Sequence, residues 1–61
     1  MKCYDNIKDI CKKRGLSIRY VEQTAGLSNG IIAKWNDSSP TAENLKAVAD
    51  VLKVKVDTLM N

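Results

Sequence analysis

Histidine is absent from the 61 residues, and cysteine occurs only twice. The commonest acid–base catalyst is therefore missing, and two lone cysteines, Cys3 and Cys11, cannot complete a tetrahedral zinc site. Nor can they form a staple. At eight residues apart on one helix they are separated by about 12 Å of rise, whereas a disulfide needs Cα atoms within about 7 Å. Cys11 reads as a small core hydrophobe. A glycine-rich phosphate loop and a pair of acids with a shared site are also lacking, so no enzyme, cofactor or metal is expected. Long apolar runs are missing as well: the longest are three residues, Ile31 to Ala33 and Ala47 to Ala49, against about 18 for a membrane span. Met1-Lys2 leads straight to the polar Asp5 and Asn6, which does not fit a signal peptide. These absences predict a cytoplasmic chain with reduced thiols and no membrane partner.

What is present is a single short domain, residues 1–61, too small for separate cofactor and catalytic domains. A chain of this size buries only about 60% of its unfolded surface, so it needs a regular helical core or a partner. The net charge is +3, unevenly spread. Residues 1–35 carry seven basic and three acidic groups, residues 36–61 three and four. The first half is the one suited to face a polyanion.

Helix punctuation organises the chain. Tyr4, Ile7, Ile10, Cys11 and Arg14 follow three- and four-residue steps and Gly15 supplies a left-handed stop, predicting a first helix over about 4–14. Ser17 is a good N-cap. Leu16 and Val21 flank it at the spacing of a hydrophobic staple, opening a second helix over about 18–25 that buries Ile18, Val21 and Ala25. Gly26 suits a tight turn, after which Ser28 as cap and the pair Leu27 and Ile32 repeat the pattern. This predicts a third helix over about 29–36, with Ile32 and Trp35 inward and Trp35 a core residue. Asn36 to Pro40 is a turn by composition. Thr41 caps a fourth helix, in which Leu45, Val48, Ala49 and Leu52 fall at i, i+3, i+4, i+7 with Glu43 in the favoured first turn. Leu52 to Val56 alternates with period two, as an edge strand would, but an extended link into a short final helix at Asp57 to Met60 is favoured. Lys53 and Lys55 stand where better capping residues belong, which predicts a frayed junction.

Two short capped helices joined at Gly26 describe a helix-turn-helix, spanning about 17–36. With Leu16 to Trp35 (LSIRYVEQTAGLSNGIIAKW), the Pro40-Thr41 helix start and the closing Val56-Asp57-Thr58-Leu59-Met60 in register, the chain resembles the lambda-repressor/Cro-like helix-turn-helix family of bacterial and phage regulators. The resemblance covers nearly the whole chain. It implies an all-α, compact five-helix domain whose third helix, Asn29 to Asn36, lies in the major groove of double-stranded DNA.

The implied base-contacting residues are Asn29, Gly30, Ile31, Ala33 and Lys34. Asn29 suits adenine, Ile31 or Ala33 a thymine methyl, and Lys34 a guanine or a phosphate. Gly30 offers close backbone approach, with N–H groups at a helix start attracting phosphate. Arg19 near the start of the second helix, Ser17 and Ser28 at the caps, and the run Lys12, Lys13, Arg14 are candidate phosphate contacts; a solvated helix face is the ordinary alternative for the run. Tyr20 is exposed by helical phase, lying near DNA or over the first helix. Three residues depart from the family pattern. Ile18 replaces a glutamine that often contacts phosphate. Glu22 replaces a small residue, so either the helices cross more widely or Glu22 swings outward to pair with Arg19 or a partner chain. Asp37 would repel phosphate; it can accept from a cytosine amine or cap the following turn.

The function this implies is sequence-specific transcriptional regulation, as a small repressor of phage or mobile-element type. Val54, Val56, Leu59 and Met60 form a candidate homodimer surface, unless they simply close the core. The alternative is a protein-interaction module, antitoxin-like or adaptor, using the same fold; Glu22, Asp37 and the modest charge favour it.

Overall fold

A computed structural model describes residues 3–60; Met1, Lys2 and Asn61, and with them the signal-peptide reading at the N-terminus, lie outside the described residues. The described residues form four α-helices and one 3₁₀ helix: α1 (Cys3–Arg14), α2 (Ile18–Ala25), the 3₁₀ helix η1 (Ile32–Asn36), α3 (Ala42–Leu52) and α4 (Val56–Met60). The all-α expectation holds, with five helical elements of which the third is 3₁₀ rather than α. No strand occurs among the described residues, so the period-two stretch before α4 is not an edge strand.

Local chemistry accounts for most boundaries. Ser17 has an extended backbone and its hydroxyl oxygen accepts the Tyr20 N–H at 3.0 Å, which caps α2. Thr41 does the same for α3, accepting the Asn44 N–H at 3.1 Å. Each thereby satisfies one donor that a helix start leaves unpaired. At the other end of α1, Leu16 donates its N–H to the Cys11 carbonyl at 2.8 Å, so the chain folds back over its last turn as expected.

The core is one cluster built from every element: Ile7 and Cys11 of α1, Val21 of α2, Ile32 and Trp35 of η1, Leu45, Val48, Ala49 and Leu52 of α3, and Leu59 of α4. The helix α2 packs chiefly on α3, and η1 on α1. Burial also pushes the Cys3 and Cys11 thiols up from their ordinary pKa by desolvation.

Two polar tethers join distant elements, one through the core and one at its edge. Asn6, buried in α1, donates through Nδ2 to the Leu59 carbonyl at 2.8 Å, joining α1 to the end of α4. The Arg14 guanidinium donates to the Leu52 carbonyl at the end of α3. There the helix closes in an ordered way. Lys53 adopts the left-handed region (φ 56°, ψ 44°), its N–H reaches the Asp50 carbonyl at 3.2 Å, and the Val54 N–H reaches the Ala49 carbonyl at 3.0 Å. The expected frayed and extended junction is thus a closed turn. Lysine holds a conformation normally left to glycine because Val54 and Val56, both half-buried, pack on the core behind it.

Candidate nucleic-acid interface

The unit expected over 17–36 is present as α2, a loop and η1, but its third helix starts later than the caps suggested. Residues 29–30 form a turn, closed by the Ile31 N–H on the Ser28 carbonyl at 3.2 Å. Gly30 has φ 85°, where a side chain is rarely tolerated, although a Cβ built there would meet nothing within 4 Å. A positive φ breaks the helix at that residue. Ser28 is therefore not its side-chain cap, and Ile31, the residue at the N-cap position of η1, has no side-chain cap bond at all.

The missing cap comes from Glu22. It is only 2% exposed, and its two carboxylate oxygens accept separate backbone N–H groups: Oε1 from Gly30 and Oε2 from Ile32, each at 3.0 Å. Neither outward alternative for Glu22 is realised. The carboxylate points into the crossing between α2 and the loop. It follows that the N–H of Gly30 is engaged within the protein, which corrects the expectation that it waits for a phosphate. No local signal marks this role. Two indirect hints exist: Glu22 stands where the family pattern has a small residue, and the third helix, unlike α2 and α3, lacks a Ser, Thr, Asp or Asn at its true N-cap.

The outward residues form a continuous rim above this latch. Asn29, Gly30, Ala33 and Lys34 are exposed, Ile31 is half-buried against the core, and Ile32 and Trp35 face inward, Trp35 being 5% exposed. Asp37 is exposed beside them; its N–H closes η1 on the Lys34 carbonyl at 3.1 Å, while the cap of the following helix is Thr41. Asn36 ties η1 to α1 by donating to Asp5 at 3.2 Å.

The cations divide by what they touch. Arg19 is exposed in the first turn of α2, two residues after the cap Ser17. Lys12 is also exposed, at the end of α1 where the chain leads into α2. Lys13 pairs with Asp9 at 3.1 Å, one helical turn away on the surface, a contact that water screens heavily. Arg14 is exposed and donates one of its guanidinium N–H groups to the Leu52 carbonyl. Tyr20 is half exposed. Of the candidate dimer residues, Leu59 is fully buried, Val54 and Val56 are half-buried and Met60 is exposed, so Leu59 closes the core. Met60 lines a cleft of about 360 Å³ with Cys3, Trp35, Pro40 and Leu45.

A capped α2, a turn at Gly26 and a short helix with an outward polar rim define a helix-turn-helix DNA-binding domain. The family model described as helix-turn-helix matches the chain over residues 7–59, and the protein belongs to this Cro/C1-type, lambda-repressor-like family. No curated protein matches the chain in sequence. No helix among the described residues is long and apolar enough to cross a membrane.

Proposed function

We propose that the protein is a sequence-specific transcriptional regulator, a small repressor of phage or mobile-element type acting in the cytoplasm by occupying an operator, with no chemistry on any substrate. The observation that carries this is the rim of η1 and its loop. Asn29, Gly30, Ala33 and Lys34 stand exposed on an element whose other side, Ile32 and Trp35, is anchored in the core. Asn29, Ala33 and Lys34, carried outward on an anchored element, are of types that suit major-groove base edges. Arg19 and Lys12, with the Ser17 hydroxyl, lie at the chain positions suited to the flanking phosphates.

Selection from a randomised duplex library at near-physiological salt tests the reading. The Cα trace is 24 Å along its longest axis, whereas successive half-sites lie ~34 Å apart. An enriched inverted repeat therefore reports two copies on DNA, and a single short site reports one. Retention without enrichment overturns sequence-specific regulation and favours the interaction-module reading.

A further inference from the structure

Glu22 is the one charged side chain buried among the described residues. Core packing does not call for it, since a small apolar side chain would fill a helix crossing without the desolvation that a buried carboxylate suffers. Its oxygens are both committed to the same short stretch of backbone. Oε1 holds the Gly30 N–H and Oε2 the Ile32 N–H, each at 3.0 Å. Between those two amides lies Ile31, whose backbone is already helical (φ −67°, ψ −37°) and whose side chain provides no cap. One carboxylate thus fixes both where η1 begins and how the loop bearing Asn29 and Gly30 stands above it.

Apart from Glu22, the loop is held by its own turn bond, from the Ile31 N–H to the Ser28 carbonyl at 3.2 Å, and by the half-buried Leu27 and Ile31 at its two ends. Asn29 and Gly30 are exposed, the Ser28 side chain makes no hydrogen bond among the described residues, and η1 packs mainly on α1 rather than on α2. Bonds to an ionised acceptor are shorter and about twice as strong as neutral ones. The carboxylate is also the only form that accepts on both sides, because a glutamine would turn its NH₂ toward one of the two donors.

We propose that Glu22 is the positioning residue for base readout: its carboxylate locks residues 28–31 in the DNA-reading conformation, so that selectivity between sequences, more than overall attraction to DNA, depends on it. The proposal rests on the DNA-binding reading above. A negative charge beneath the groove-facing rim weakens general attraction to phosphate, while the rigid loop sharpens discrimination.

The test compares wild type with Glu22→Gln for affinity to the selected operator and to an unrelated duplex of equal length, at two salt concentrations. Both are measured at a temperature where melting curves show each protein folded. The variant is expected to lose about tenfold on the operator, the scale of one base contact. Binding to the unrelated duplex should hold or tighten, and the salt slope should stay the same. A lower melting temperature with an unchanged operator-to-unrelated ratio overturns the proposal, since that is what a purely structural carboxylate produces.

Amide hydrogen exchange on the wild type without DNA supplies an independent arm, decisive even if the variant fails to fold. Protected Gly30 and Ile32 amides are expected, and a Gly30 amide exchanging at loop rates overturns the latch. Protected amides in a wild type that selects no operator overturn the DNA-reading role and the functional reading together, leaving only the loop geometry.

Discussion

At the residue scale the molecule contrasts two ways of burying a large or polar side chain. Glu22 is tolerated because both its oxygens are engaged by backbone donors. Trp35 is tolerated because it is apolar mass, 5% exposed in the cluster shared by all the helices. Its ring is the largest side chain in a core that has no phenylalanine, so its loss leaves a hole that small neighbours cannot close. Trp35→Ala is expected to cost about 3–5 kcal/mol, read from the urea midpoint with far-UV circular dichroism as probe. A midpoint equal to wild type would place the ring at the surface instead. The core role of Trp35 was legible because Ile32 and Trp35 share one face of any helical turn. The role of Glu22 was not. Its partners lie eight and ten residues away, beyond any spacing that a helix or turn imposes, and only the packed crossing brings them together.

At the scale of elements, the caps at Ser17 and Thr41 were legible because each bond closes within three residues. The start of η1 was not legible, because Ser28 imitates a cap while Gly30 turns the chain out of the helix. The end of α3 misled in the opposite sense. Lysine is a poor residue for a left-handed stop, yet the stop forms, with Lys53 at φ 56°. Such a conformation costs a side-chain-bearing residue about 1–2 kcal/mol that glycine escapes. Lys53→Gly is therefore expected to stabilise the fold by about 1 kcal/mol, less whatever unfolded-state freedom glycine adds. A thermal melt that falls instead would mean the lysine side chain contributes at this turn. The reading rim offers a prediction of its own. Asn29 stands on the loop that Glu22 fixes, so Asn29→Ala should relax base preference at one operator position, seen by repeating the library selection. A uniform loss across all positions would instead assign Asn29 to the backbone.

On the scale of the whole molecule, the basic groups that sequence alone placed together turn out to do different work. Arg14 joins α1 to the end of α3 through the Leu52 carbonyl, across 38 positions, and Asn6 joins α1 to α4 across 53. These long tethers bind the outer helices into the frame on which η1 is carried. Arg19, also exposed, stands in the first turn of α2, where a guanidinium can reach a phosphate. The distinction is measurable because each phosphate neutralised releases counterions, and log K falls with log salt with a slope of about −0.9 per contact. Arg19→Ala should therefore make the salt slope shallower by about 1 and weaken all duplexes alike. Arg14→Ala should leave the slope intact while lowering stability by about 1 kcal/mol, the net scale of one partly exposed hydrogen bond. The reverse pattern, a shallower slope for Arg14→Ala with an unchanged melt, would mean that Arg14 leaves Leu52 to contact DNA, and that the basic run at the end of α1 is part of the interface rather than of the scaffold.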